Sequence, residues 1–213
     1  MQECSDRLAS SPDGVRQRYE ALKELGDGHA AAGRNRMARR CYEKACRLAP
    51  EQSASYVALG AVAVADDRYD EARRSFEIAR RLEPDCPEAY GGLALVYHEC
   101  QDFPAAFEMY LRCLELDTDN LMALLGLFQT SCQMGTFEKI VHYLEVYLET
   151  HGDDTAVLFC LATLLARDGK LETAGRTLRK VLEIDPQNLE AAKLLAQVTH
   201  SLVRLRPPEV AAI

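Results

Sequence analysis

The sequence lacks any apolar run long enough to cross a membrane. Its most apolar helix-length segment is 54–65, ASYVALGAVAVA, which carries no charged side chain. A transmembrane helix needs about 20 such residues, so a segment of about twelve requires a cover made of protein. The start of the chain, MQECSDRLASSPDG, is charged and has no apolar run, which argues against a secretory signal. We therefore expect a cytoplasmic protein.

Catalytic and metal-binding patterns are also missing. The eight cysteines form no CxxC pair, and the five histidines show no ligand spacing. There is no glycine-rich phosphate loop after a strand, no HExxH motif, and no serine or cysteine on a nucleophile elbow. Free cysteines pack like small apolar side chains in reducing compartments. We expect reduced and mostly buried thiols, no metal, no cofactor and no enzymatic activity.

Positive charge is scarce in the middle of the chain. The net charge is −8, and residues 87–154 hold two basic side chains against twelve acidic ones. Affinity for nucleic acid comes mainly from clustered Lys and Arg, and helical-repeat RNA binding needs base-reading side chains, so we expect no nucleic-acid partner. We interpret the acidic residues as solvated outer faces of helices, and the alternative is a docking patch for a basic partner.

What the chain does contain is a pattern that recurs every 34 residues without insertion. The blocks are 19–52, 53–86, 87–120, 121–154 and 155–188. The second block shows the recurring positions best. They hold aromatic, small and aliphatic side chains followed by a proline: Tyr56, Leu59, Gly60, Tyr69, Ala72, Phe76, Ala79 and Pro84. This spacing resembles the tetratricopeptide repeat (TPR) family.

The resemblance implies an all-α fold, a right-handed α-solenoid of antiparallel helix pairs. Each pair has a first helix A and a second helix B, and the break in the second block is predicted at 66–68. Pro104 is predicted in the first turn of the third B helix, where its missing N–H costs little. The predicted organisation is a polar lead-in at 1–18 with the first helix beginning near Asp13, five repeats over 19–188, a capping helix at 189–206 and a tail at 207–213.

The fourth block departs from the pattern at the positions where two helices approach each other. Phe128 and Ile140 stand where the other blocks place Gly or Ala. Forcing two bulky side chains into one gap costs about 1–3 kcal/mol if the backbone does not move. We therefore predict that this helix pair splays and changes the curvature of the superhelix near 128–140.

In the TPR family the A helices line the concave side of the superhelix. Carried over to this chain, that arrangement implies a mostly apolar groove with large apolar anchors and a few side chains that fix register by hydrogen bonding. The candidate partner-binding residues are Val57, Ala61, Val64, Leu95, His98, Met122, Leu125, Gln129, Phe159 and Thr163. For the three on the second A helix we expect no cover from the chain itself beyond the curvature of the superhelix. In the alternatives, a tight superhelix buries the groove, or one of the chain's own termini folds over it.

The function that this implies is a non-enzymatic adaptor or scaffold, which holds an apolar or amphipathic segment of a partner protein. A self-assembling structural protein, or a subunit whose groove takes a neighbouring chain, is the alternative. A co-chaperone that grips a carboxyl-terminal peptide is less favoured. Lys23 matches the first element of that clamp, but Asp27 replaces the expected Asn, and Ala58, Glu88 and Gly92 stand at the later positions.

Overall fold

The computed structural model describes residues 12–205, and within that range the chain forms eleven helices and no strand. The helices are α1 (Pro12–Ala31), α2 (Asn35–Leu48), α3 (Ser53–Ala65), α4 (Tyr69–Leu82), α5 (Pro87–Glu99), α6 (Phe103–Leu116), α7 (Leu121–Met134), α8 (Glu138–His151), α9 (Thr155–Arg167), α10 (Leu171–Ile184) and α11 (Leu189–Leu205). The predicted all-α fold is confirmed. The beginning of the predicted lead-in and the whole predicted tail lie outside the described residues.

The helix boundaries follow the register of the sequence. Helix α3 ends at Ala65 and α4 begins at Tyr69, so the predicted break at 66–68 is confirmed. Pro104 lies in the first turn of α6, as predicted. The A and B helices α1 and α2, α3 and α4, α5 and α6, and α9 and α10 pack against each other across short connections, which makes each pair antiparallel.

The turns between A and B helices show the 34-residue period in the backbone itself. One residue in each turn has a positive φ, and these residues are Gly33, Asp67, Gln101, Gly135 and Gly169. A left-handed residue after the last helical turn lets backbone N–H groups reach the free carbonyls of the helix end, and Gly adopts this conformation without steric cost. The same turn is therefore built five times, twice with a side chain other than Gly.

The repeats of the first unit are joined by an aromatic ring held between glycines. A Cβ added to Gly60 on α3 would lie 2.7 Å from the Phe76 ring, and one added to Gly92 on α5 would lie 2.3 Å from the same ring. Phe76 on α4 is buried in a cluster with Ala63, Ala72, Leu93 and Val96. Each A helix therefore comes close to the ring only because it has no side chain there, which confirms Gly60 and Phe76 as repeat-packing residues.

The chain divides into two compact units, one ending at Gly126 and the other beginning at Leu127, so that the boundary falls within α7. In the second unit α9, α10 and α11 pack together. Their buried core consists mainly of aliphatic side chains, among them Val157, Leu164, Leu178, Val181 and Val198. The buried residues of α9, α10 and α11 include no aromatic side chain, in contrast to Phe76 in the first unit.

The face of α11 that packs inward differs from the predicted one. The helical pattern of this segment predicts that Ala192, Leu195 and Ala196 point inward, but Ala192 and Ala196 are exposed and Leu195 is half-buried, whereas Ala191 and Val198 are buried. Within residues 12–205 no B helix follows α11 to cover this face. The exposed face instead lines an open apolar depression with Leu182, Leu195, Thr199, His200 and Val203. This feature had no signal in the repeat register.

The fourth helix pair keeps its bulky side chains at the positions of close approach. Ile140 on α8 is fully buried, and Phe128 on α7 is half-buried. Burial of Ile140 shows that the position is an interior one, as in the other blocks. The splaying of this pair stays a prediction.

Candidate binding groove

Helix α3 places its three candidate residues at the edge of the core rather than away from it. Val57 and Val64 are half-buried and pack against the cluster around Phe76, Leu93 and Val96, while Ala61 is exposed. The expectation that all three lack cover from the chain is therefore wrong for the two valines. The neighbouring A helix α5 covers one side of each valine because the two helices pack against each other.

Helix α5 contributes Leu95 and His98. The Leu95 side chain is 38% exposed, and its helix neighbours Leu93 and Val96 are buried. The His98 ring packs edge-on against the Phe103 ring at 5.6 Å between centroids, and its Nδ1 lies 3.8 Å from a carboxylate oxygen of Glu99. His98 is thus held in place by its own chain, with part of the ring left accessible.

The part of α7 that belongs to the first unit contributes Met122 and Leu125. Met122 is 77% exposed, the highest exposure among the large apolar side chains of the described residues. Leu125 is half-buried beside Gly126, whose missing side chain leaves room for the Tyr110 ring. Met122 therefore has little cover from the described part of the chain, and a flexible thioether side chain adapts well to a partner's shape.

The three remaining candidates lie in the second unit. Gln129 is exposed on α7, whereas Phe159 and Thr163 are half-buried on α9. The Thr163 hydroxyl donates to the backbone carbonyl of Phe159 at 2.8 Å. Its proton is engaged within its own helix, so Thr163 has only acceptor capacity left for a partner.

The A helices α3 and α5 of the first unit carry few charges. Neither contains Lys or Arg, and α5 carries one carboxylate in each of its terminal turns, Glu88 and Glu99. Helix α1 differs, because it carries two arginines besides Lys23, whose ammonium pairs with Asp27 at 3.0 Å. The surfaces of α3 and α5 are therefore mainly apolar, with acidic ends on α5.

The Asp27 carboxylate accepts hydrogen bonds from Lys23 and from the Tyr42 hydroxyl at the same time. The Tyr42 hydroxyl donates to Asp27 Oδ1 at 2.7 Å, while Lys23 bonds the other oxygen. Burial alone raises the pKa of Asp27, but the hydrogen bonds from Tyr42 and Lys23 outweigh it and hold the pKa below its ordinary value. A peptide carboxylate approaching Lys23 therefore meets a carboxylate already in place.

The cysteines of the described residues are free thiols, and most of them are buried. Burial raises the pKa of Cys86 to about 11 and that of Cys160 to about 12. A thiol with so high a pKa is protonated at neutral pH and is a poor nucleophile. Exposure is highest at Cys100, directly after α5.

The described residues show neither a metal site nor a membrane span. No group of three or more His, Cys, Asp or Glu side chains there is arranged to hold a metal ion. Among the helices of residues 12–205, none combines the length and the apolar character that crossing a bilayer requires.

Family models for the tetratricopeptide repeat match residues 23–73, 57–120 and 155–180. No curated protein matches the chain. Among solved structures, a Pseudomonas aeruginosa pilF structure is 18% identical, with a TM-score of 0.67 over 92% of this chain and 96% of that one. YrrB, described as a TPR protein with an unusual peptide-binding site, is 19% identical, with a TM-score of 0.67 over 81% of this chain and 89% of that one.

A third similar structure is the first TPR domain of Spaghetti (RPAP3), bound to the HSP90 peptide SRMEEVD. It is 22% identical, with a TM-score of 0.54, and the match covers 56% of this chain and 95% of that one. At these identities the structures share the fold, and the family models add the sequence signature. With its 34-residue register, its helix pairs and these matches, the chain belongs to the tetratricopeptide repeat family.

Proposed function

We propose that this protein is a non-enzymatic adaptor that binds an apolar or amphipathic segment of a partner protein along the A-helix faces of its first unit. Met122 and Leu95 are the anchors, Val57, Val64 and Leu125 form the half-buried floor, and Ala61 leaves room for the segment to approach. Gln129, Phe159 and Thr163 offer the same kind of contact in the second unit.

The observation that carries the proposal is the exposure of large apolar side chains on A helices that contain no Lys or Arg. Met122 is 77% exposed and Leu95 is 38% exposed, and α3 has no charged side chain at all. Monomeric proteins rarely leave contiguous apolar patches of more than a few hundred Å² in contact with water. Binding of a segment with an apolar face removes that surface from water.

Gripping of a carboxyl-terminal peptide is less favoured. The Spaghetti domain structure holds an HSP90 peptide, but in this chain Asp27 already bonds Lys23. A second negative charge at that position would be repelled rather than bound.

The test uses a synthetic amphipathic helix as the probe. A peptide of about 14 residues spans ~20 Å, the length of one A helix. One face carries Leu, Ala and a single Trp, and the other carries Gln. Because the protein has no Trp, the emission of the peptide reports binding without background. We expect saturable binding by the wild type and a loss of at least about tenfold with Met122→Glu, since a carboxylate would be buried against the apolar face.

The matched control is Met37→Glu, which introduces the same charge at a methionine that is 43% exposed on the B helix α2. Both variants should keep the helical circular dichroism of the wild type. Unchanged binding by Met122→Glu, or equal losses with both variants, would rule out the A-helix face as the binding site. Light scattering across protein concentration separates an adaptor of constant mass from an assembling protein whose mass grows.

A further inference from the structure

Helix α11 has an apolar face that the described part of the chain leaves uncovered. Along this face lie Leu189, Ala192, Ala196, Thr199 and Val203, which we name the α11 seam. Leu189 is 73% exposed and Val203 is 67% exposed, and the three residues between them are exposed as well. Four of the five line the open apolar depression beside Leu182, whose lining contains no acidic residue. The terminal helix of a solenoid is expected to turn a polar face outward, so this face is a departure.

The equivalent positions of the preceding repeat are buried. Moving back by one 34-residue period from Ala192, Ala196 and Thr199 leads to the α9 residues Leu158, Ala162 and Leu165. Those three side chains are 5%, 0% and 8% exposed, and the B helix α10 packs against α9. The α11 seam therefore occupies the positions that a following helix covers in an inner repeat.

The spacing of the α11 seam suits contact with one more helix. Its residues follow one another at intervals of three, four, three and four, the heptad spacing that keeps side chains on one stripe facing a second helix. The small side chains of Ala192 and Ala196 let that helix approach to about 8 Å between axes. From Leu189 to Val203 the seam is ~21 Å long. A helix of similar length fits it better than an extended segment.

The α11 seam has the same character when it is followed from either end. Its two large aliphatic side chains, Leu189 and Val203, stand seven residues on each side of Ala196, with smaller side chains between them. When two copies of α11 pack antiparallel, Leu189 of one copy lies next to Val203 of the other, and Ala196 lies near the two-fold axis. Each copy then gives and receives the same contact, as a two-fold interface requires.

The charges at the two ends of α11 are complementary in the same arrangement. Three carboxylates and one ammonium group belong to its N-terminal end and the residues just before it, and they are Glu183, Asp185, Glu190 and Lys193. The C-terminal end carries His200 and Arg204 and no carboxylate. Antiparallel packing brings the acidic end of one copy beside the basic end of the other and opposes the two helix dipoles. Parallel packing would bring like charges together.

We propose that two copies of this protein associate through the α11 seam as an antiparallel two-fold dimer. Each α11 takes the place that a B helix takes beside the A helix of an inner repeat. The inference does not rest on the proposed function, because no residue of the α11 seam belongs to the candidate groove. A two-fold contact closes after two copies, so the dimer carries two A-helix binding faces and grows no further. A contact of this length is at the small end of specific interfaces, and we expect micromolar dissociation.

Sedimentation equilibrium of the full chain from about 1 to 300 µM measures the association. We expect the average mass of the wild type to reach that of two chains and to level off there. A mass of one chain at every concentration overturns the inference, and the seam is then covered by residues 206–213 or by another protein. A mass that rises beyond two chains overturns it too, because the contact would not be a closed two-fold one.

Ala196→Glu tests the centre of the contact. It places a carboxylate of each copy near the two-fold axis and against the apolar face, so we expect association to weaken at least about tenfold. The matched control is Gln197→Glu, which adds the same side chain at an exposed position about 100° round the same helix. It should change the dissociation constant by less than about twofold. Both variants should keep the helical circular dichroism of the wild type, and equal effects on association would contradict the proposal.

Met122→Glu separates this contact from the A-helix face of the first unit. We expect it to associate as the wild type does, since Met122 is not part of the α11 seam. Weaker association of Met122→Glu would place the second copy on the A-helix face instead and would overturn the inference.

A double-mutant cycle tests the antiparallel direction. Leu189→Ala and Val203→Ala should each weaken association about three- to tenfold, and the double variant should lose at least about twofold less than the product of the two losses. Within one chain the two residues are ~21 Å apart along α11, so they can couple only through the second copy. Losses that simply multiply would rule out the contact between Leu189 and Val203.

Discussion

The two helices of the second repeat have opposite compositions, although both are needed for the same packing. Helix α3 has no charged side chain in thirteen residues, whereas α4 has seven in fourteen. The A helix packs against neighbouring helices and leaves one apolar strip exposed, which is part of the proposed binding face. The B helix turns its charged side chains to water and buries a narrow stripe of Ala72, Phe76 and Ala79.

The difference separates the helices that supply the core side chains of the first unit from the helices that carry the proposed binding face. The Phe76 ring in the contact between repeats comes from the B helix α4, and the A helices α3 and α5 make room for it with Gly60 and Gly92. The B helix thus supplies the large core side chain, and the A helices supply the glycines that make room for it. The A helices also carry the exposed apolar strip. Each prediction below changes one side of this division.

The largest effect is expected from Phe76→Ala, which empties the contact between α3, α4 and α5. Removing a fully packed phenylalanine costs about 3–5 kcal/mol of unfolding free energy. Urea denaturation followed by circular dichroism measures it. Met37→Ala, at an exposed methionine on the B helix α2, should change the unfolding free energy by less than about 0.5 kcal/mol. A loss below about 1 kcal/mol for Phe76→Ala would contradict the central role of the ring.

Gly92→Ala tests the same contact from the side of the A helix. The added methyl group would lie 2.3 Å from the Phe76 ring, an overlap expected to cost about 1–3 kcal/mol. The matched control is Gly28→Ala in α1, where a Cβ meets nothing within 4 Å. There we expect a gain of about 0.5–1 kcal/mol, because Ala favours the helix over Gly. Changes of the same sign for both would refute the close-packing explanation.

A smaller effect concerns the turn that joins A to B. Gln101 has φ of 62°, a left-handed conformation that side chains other than Gly adopt at a cost of about 1 kcal/mol. Gln101→Gly should therefore raise the unfolding free energy by up to about 1 kcal/mol, and Gly169→Ala at the equivalent turn should lower it by a similar amount. Thermal denaturation of the pair checks both signs. A loss of stability in Gln101→Gly would show that this side chain makes an important contact.

The smallest effect is the pH dependence from Asp27, which joins an A helix to a B helix through Tyr42. The pKa of Asp27 lies below its ordinary 3.8 in the folded protein, so its stabilisation is present above pH 3.8 and is lost as pH falls through the folded pKa. Since the side chain is 48% exposed, we expect only a few tenths of a kcal/mol. The stability difference between wild type and Asp27→Asn should shrink between pH 5 and pH 2.5. A constant difference would mean that the charge contributes nothing.

The repeat register could be read from the sequence because each block specifies its own local structure. Small residues at Gly60 and Ala72 mark close helix contacts, the polar run at 66–68 marks the turn, and Pro104 marks a helix start. These are short-range rules in which the side chain and its consequence lie within a few residues of each other. Five copies in one register reinforced them, and the structure confirms the helices that they predict.

The surroundings of the candidate site could not be read in this way. The sequence showed that α3 is apolar, but only the packing of α5 decided that Val57 and Val64 are half-buried and Ala61 is exposed. For α11 the same periodicity is compatible with two inward faces, and the contacts with α9 and α10 selected the one with Ala191 and Val198. A hydrophobic pattern indicates which residues are expected to be buried, but it does not identify the helix that buries them.

By itself, then, the sequence determined the helices, their order and their 34-residue period, because these depend on local side-chain size and backbone preference. Only the tertiary structure decided which A-helix side chains stay exposed and which, like Val57 and Val64, are partly covered by the next repeat. The physical reason is that exposure depends on residues about thirty or more positions apart, which are brought together by the stacking of one repeat on the next.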